Sequence, residues 1–298
     1  MATVVSITNP ITGAVEQVDK LDHTAQQIDD AVALAPQLSN PNLLDNWYFA
    51  NPVNQRGQAS WTNPSNMQYA IDRWQITPSS VVALVDGGIT VTAEIQQGLE
   101  KTRLEFGRTY TFSVISSDGR LGKHTFVLTS DTNINVSFGF GFFVCYLSGN
   151  NVWFRIYGDG STYKAAKLEL GSQQTLAHQE NGVWVLNEIP DYGEQLARCQ
   201  RYHFEFGPSH ALIAYDGYGV NSPVVYFPVQ MRTVSAIKVY SKAGTENAIT
   251  HWNGSAEVDF TDFSLEWNEN FVTLRSNNGA FVPGGIYSIG KLIAYADL

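Results

Sequence analysis

The chain has 298 residues and a net charge of −10, with 44% hydrophobic, 12% aromatic and 15% charged residues. That length suggests two domains, and the composition is apolar enough for packed cores and too poor in charge for disorder. The 18 Lys and Arg form no cluster along the sequence, so the basic stripe that displaces counterions from phosphates is not in evidence; nucleic acid and anionic membrane surfaces are disfavoured as partners.

Residues 1–11 carry no basic region and no long apolar run, so no secretion signal is expected, and no stretch approaches the ~18 apolar residues of a spanning helix. The expectation is a chain made in a cytosol, without membrane insertion, that stays in solution or joins an assembly. Residues 1–22 read as extended and polar, broken by Pro10 and Gly13. Residues 24–35 read as one short helix. Thr24 and Gln27 have capping-box spacing, which satisfies free helical N–H groups. Ile28, Val32 and Ala35 fall on one face, and Leu21 lies one heptad before Ile28. Pro36 ends the helix and Ser39-Asn40-Pro41 makes a linker. A helix of ~12 residues is marginal alone in water. Two readings of its apolar face stand: it packs on its own β domain, or it is an oligomer seam or docking peg for a larger particle.

From residue 41 the hydrophobic period becomes two. Ile89, Val91, Ala93 and Ile95 alternate with Thr90, Thr92 and Glu94; Val152, Phe154 and Ile156 alternate with Trp153, Arg155 and Tyr157; Ala166, Leu168 and Leu170 alternate with Lys167 and Glu169. These are the marks of half-buried antiparallel strands, punctuated by turns such as Asp118-Gly119 and Asp159-Gly160. Residues 41–172 are therefore expected to form a jelly-roll-like β-sandwich. Residues 173–202 form a connector with a helix at 193–202, entered after Pro190-Asp191. Residues 203–298 form a second β-sandwich, with strands at Val225-Phe227-Val229, Ile237-Val239, Phe263-Leu265-Trp267 and Leu292-Ala294-Ala296. The expected fold class is all-β: two antiparallel β-sandwich (jelly-roll-like) domains preceded by a short N-terminal α-helix. Residues 1–40 are the anchor.

Catalytic signatures are absent from the sequence. No nucleophile elbow, zinc-protease helix, phosphate loop or dinucleotide fingerprint occurs. Gly139-Phe140-Gly141 lacks a third glycine, and the segment beginning at Asp131 has Val136 and Phe142 where a calcium loop needs glycine and an acidic residue. The two cysteines, Cys145 and Cys199, suit no disulfide framework or metal site; Cys145, in the apolar run 142–147, is expected to be a buried free thiol. The six histidines are scattered, with only a loose His203/His210 pair, and Asp259, Asp262 and Glu266 are the carboxylates a glycosidase reading would use. The expectation is a non-enzyme without cofactor or metal.

Binding is better supported. Trp153, Arg155 and Tyr157 share the strand face opposite the core residues. Aromatic faces stack on sugar rings and Arg supplies hydrogen bonds, so the trio reads either as a glycan platform or as a packing face. Tyr215 and Tyr218, on a predicted loop tip, and Trp252, before the tight-turn pair Asn253-Gly254, are further candidate contacts.

Several segments resemble bacteriophage fibre and receptor-binding proteins. Asn40-Pro41-Asn42-Leu43-Leu44-Asp45-Asn46-Trp47-Tyr48-Phe49, followed by Asn54-Gln55-Arg56-Gly57 and Asp72-Arg73-Trp74, is similar to the opening of their carbohydrate-binding-module-like jelly-roll domain. The segment 166–172 resembles its closing strand, 192–202 the joint that follows, and 227–232 a strand of the C-terminal sandwich; 24–32 resembles the collar ahead of such fibres. The resemblance implies a virion protein, tail fibre or head fibre, often trimeric, that attaches to host-surface glycan. In it Asp72 and Arg73 are expected to pair, and Trp47 and Trp74 to fill the core. A purely structural head-fibre, decoration or adaptor protein without host ligand is the alternative, and a carbohydrate-binding accessory module the third. The expected partners are further copies of the chain, other virion proteins through the N-terminal segment, and host glycan.

Overall fold

The computed structural model describes residues 4–8, 15–19, 40–207, 210–214, 216–217, 220–221, 225–276 and 278–296. The chain divides into two compact units, Met1–Ser39 and Asn40–Leu298. In the first, β1 (Val4–Thr8) and β2 (Val15–Asp19) form an antiparallel hairpin, with Val4 opposite Asp19 and Thr8 opposite Val15.

In the second unit, β3 (Ser60–Thr62), β4 (Gln68–Ile71), β5 (Trp74–Ile76), β6 (Val81–Val85), β7 (Gly88–Glu100), β8 (Thr109–Ser116), β9 (Leu121–Val127), β10 (Asn133–Ser137), β11 (Gly141–Ser148) and β12 (Asn151–Leu170) form one ten-stranded sheet. Its main path runs β10-β11-β12-β7-β5-β4, with β6 carrying β3 on the side of β7 and β9 joined through β8 to β12. The organising element is β12, 20 residues long. Its first half pairs with β11 and β7, and after register shifts around Asp159 and Tyr163 its second half pairs with β8. The chain at Trp47–Phe49 adds hydrogen bonds to the same second half, Ala166 N to Trp47 O and Phe49 N to Lys164 O. Alternation along these strands points Ile95, Leu99, Phe143, Cys145, Val152, Phe154 and Ile156 into a common core, all essentially inaccessible to solvent. Each such large side chain contributes about 1.5–3 kcal/mol on burial. Trp47 and Trp74 lie in that core as expected, and Cys145 is a buried free thiol.

A hairpin of β13 (Ala177–Glu180) and β14 (Val183–Leu186) precedes helix α1 (Tyr192–Gln200). Asp191 caps the helix by accepting a hydrogen bond from Glu194 N at 2.8 Å, which satisfies one of the amides a helix start leaves free. The second β region comprises β15 (His203–Phe206), β16 (His210–Ala214), β17 (Val220–Asn221), β18 (Val225–Tyr226), β19 (Ala236–Tyr240), β20 (Ile249–Trp252), β21 (Glu257–Phe260), β22 (Ser264–Trp267), β23 (Phe271–Arg275), β24 (Ile286–Ile289) and β25 (Lys291–Tyr295). They pair as three small sheets, β15-β25-β19, β17-β16-β24-β20-β21 and β18-β23-β22, around a second core that includes Leu212, Val239, Ile249, Leu274 and Leu292.

The expected fold class requires correction. The described helix is internal, between two β-rich regions, and does not lead the chain; the helix expected at 24–35 lies outside the described residues. The strands expected to form two sandwiches instead make one branched ten-stranded sheet and several small ones. Period-two patterning reports which face of a strand is buried and not which strand it bonds, so it cannot show that β12 serves two sets of partners. Three local expectations also change. Asp72 bonds Arg56, while Arg73 turns away to Asp45. Lys167 and Glu169 are fully buried, because Thr175 packs over the face expected to meet solvent and bonds both of them. The strand expected through Phe227 and Val229 stops at Tyr226. No helix of the described residues is long and apolar enough to cross a membrane.

Candidate functional site: an aromatic and guanidinium face of the large sheet

Strand alternation that buries Phe154 and Ile156 must turn Trp153, Arg155 and Tyr157 to the opposite face. Register then decides their neighbours. Tyr157 stands between Phe142 and Glu94, Arg155 between Val144 and Gln96, and Trp153 between Tyr146 and Gly98. Gln75 lies beside Gln96 on the next strand. Four strands thus contribute to one surface: aromatic rings at both ends and a polar cluster between them.

Arg155 organises the centre. Its Nη1 pairs with Glu94 Oε2 at 2.5 Å, and its Nη2 donates to Gln96 Oε1 at 2.8 Å and to the Tyr146 hydroxyl at 2.9 Å. Tyr146 in turn donates to Gln96 Oε1 at 3.1 Å. The guanidinium carbon also lies 5.0 Å from the Tyr146 ring centroid, within cation–π range. Guanidinium has only donors, so it dictates the orientation of the Gln96 amide: Oε1 faces Arg155 and Nε2 faces away. Gln96 Nε2 and Gln75 Oε1 are both buried with no hydrogen-bond partner among the described residues.

At one end, Tyr157 (46% exposed) and Phe142 (44% exposed) meet edge to face at 6.5 Å. At the other, the Trp153 ring lies against Gly98, where a Cβ would come within 3.1 Å of its six-membered ring. From Trp153 to Tyr157 the strand advances ~13 Å. The face is therefore an elongated strip with flat apolar rings at each end and rigidly held hydrogen-bonding groups between.

The structure thus brings together Trp153, Arg155 and Tyr157 and adds Phe142, Tyr146, Glu94 and Gln96, which sequence reading left out. The run 142–147 read as uniformly apolar, yet Phe142 is exposed while Phe143 and Cys145 are buried, so period-two alternation was present there too. Trp252 is exposed at the end of β20, before a turn in which Asn253 Oδ1 accepts from Ser255 N and Ala256 N, but it belongs to a separate sheet. Tyr215, Tyr218 and the anchor residues Leu21, Ile28, Val32 and Ala35 lie outside the described residues. The carboxylates of a glycosidase reading have separate partners: Asp259 bonds Thr245, Glu266 bonds Arg275 and Asp262 bonds Asn278. Among the described residues no three His, Cys, Asp or Glu side chains gather where they could hold a metal ion.

Comparison of the chain with family models, curated proteins and solved structures returned no match.

Proposed function

We propose that this chain is a glycan-attachment subunit of a phage virion, a fibre protein that binds host-surface carbohydrate non-catalytically through the face of Trp153, Arg155 and Tyr157. The observation that carries the reading is the pairing of exposed rings with a pre-oriented Arg155–Glu94–Gln96–Tyr146 network on one strip of sheet. Sugar rings present apolar faces for stacking and hydroxyls for hydrogen bonds, and a rigid polar network meets them with little further loss of side-chain entropy. The segments from Asn40 to Trp74 that resemble fibre modules support the virion setting, and residues 1–39 serve as the attachment segment. Further copies of the chain, as a trimer, would cover exposed sheet edges.

The test is a glycan array probed with the full chain and with Trp153→Ala and Tyr157→Ala. Tyr157 is half exposed, so its truncation leaves the melting temperature within a degree or two while reducing glycan binding at least tenfold. Binding unchanged in both variants, or no glycan bound by the folded parent, rejects the face as a glycan site. A purely structural particle protein is the second reading, favoured by the exposed Phe142–Tyr157 pair, which a neighbouring copy could equally cover. Under that reading Tyr157→Ala lowers the oligomer mass measured by light scattering and the array stays blank.

A further inference from the structure

Away from the sheet face, arginines scattered along the sequence converge on one cavity. Its volume is about 360 Å³, and its lining includes Arg103, Arg198, Arg201 and Arg232 together with Asp45 and Glu100. Four guanidiniums against two carboxylates leave a surplus of two positive charges, in a chain whose net charge is −10.

Both carboxylates are already engaged in the wall. Asp45, almost wholly buried, bonds Arg103 Nη1 at 3.0 Å and Arg198 Nη2 at 2.8 Å. From behind, Arg73 Nε reaches it at 3.1 Å. Glu100 bonds Arg232 Nε and the Tyr202 hydroxyl. These pairs fix the guanidinium planes in place without using all their donors. Each guanidinium carries five N–H groups. Arg198 places Nε and Nη2 on Asp45 and on the carbonyls of Asn42 and Leu44, and its Nη1 has no partner among the described residues. The Arg201 side chain has no hydrogen bond or ion pair among the described residues. Arg103, Arg198 and Arg232 remain between 27% and 30% exposed at the cavity.

We infer that this cavity binds an oxyanion, a carboxylate or phosphate group carried by a small solute or by a glycan. Arginine forks match the paired oxygens of both groups. Positive charge in a concave wall, set in an acidic molecule, focuses the field at that point. The walls come from the segment at Asp45, the end of β7, the end of α1 and the first part of the second β region, so a bound oxyanion ties these elements together. The inference does not depend on the Trp153 face.

The experiment is isothermal titration of the full chain with inorganic phosphate, glucuronate and, as a neutral control, glucose, repeated with Arg201→Gln and Arg232→Gln. The Arg201 side chain is exposed and makes no hydrogen bond or ion pair among the described residues, so Arg201→Gln, which leaves the backbone bond from Arg232 N to Arg201 O in place, keeps the fold, which circular dichroism verifies. The expected result is saturable binding of phosphate or glucuronate, none of glucose, and a loss of about fivefold or more in affinity in Arg201→Gln. Trp153→Ala retains the binding. Stronger binding of glucuronate than phosphate identifies a sugar acid as the source of the anion; the reverse identifies a phosphate. No saturable binding of either anion, or equal affinity in parent and Arg201→Gln, overturns the inference.

Discussion

The six-membered ring of Trp153 occupies the space above Gly98 where any other residue would place its Cβ, with ring atoms 3.1–3.3 Å from that position. The two residues face each other across the β12–β7 pairing, so a glycine on one strand sets the orientation of an indole on the next. Gly98→Ala therefore forces the ring to shift by a few tenths of an ångström or to change rotamer. The expected outcome is reduced affinity for whatever stacks on Trp153, with a stability loss on the order of 1 kcal/mol from the overpacked contact. Thermal melts and binding isotherms on the same protein check both parts. An unshifted Trp fluorescence spectrum with unchanged binding would show that the ring is indifferent to position 98.

Asp45 is the anchor of the charged hub. Burial opposes its ionisation, but the guanidiniums of Arg73, Arg103 and Arg198 outweigh that cost and hold its carboxyl below the usual carboxylate range. A carboxyl depressed in the folded state stabilises the fold at every pH above its unfolded value, near 3.8, and that contribution is lost as pH falls through the folded value. Asp45→Asn leaves three guanidiniums facing an amide, and breaking a buried ion pair in this way costs about 3–5 kcal/mol. Denaturant melts at pH 7 give the loss. Repeating them below pH 4 should show the parent losing stability more steeply than the variant; parallel acid profiles would assign the acid sensitivity to another group.

Both thiols are expected to be inert in the native state. Burial pushes Cys145 up to about 12, and it raises Cys199 well above the ordinary thiol range. Because the thiolate is the reactive form, neither reacts appreciably near pH 8 while folded. Labelling with a disulfide reagent should follow the rate of unfolding and reach both cysteines only in denaturant. Fast labelling of the folded chain would show that one of these sites opens to solvent.

Hydrophobic alternation was enough to identify the β class, the inward set Val152, Phe154 and Ile156, and the outward set Trp153, Arg155 and Tyr157; the helix expected at 193–202 after Pro190-Asp191 stands at Tyr192–Gln200, its Asp191 cap seen only in the structure. These features depend on spacing along one strand or one helical turn, and local spacing is a property of sequence. Tertiary structure alone decided the rest. That β12 bonds β7 and β11 with one half and β8 with the other is a matter of long-range pairing. So is the placing of Phe142 beside Tyr157 and of Glu94 and Gln96 beside Arg155. Lys167 and Glu169 alternate as solvent-facing residues do, yet Thr175 returns across them and they are buried. Adjacent Asp72 and Arg73 look like partners, but Arg73 has a positive φ of 71°, and its side chain leaves its neighbour for Asp45. The charge hub is the extreme case. Arg73, Arg103 and Arg198 are far apart in a chain with no basic run, and they meet around one carboxylate because antiparallel pairing and helix docking bring distant positions within a few ångströms. Coulomb energy depends on that separation in space, about which order along the chain is silent.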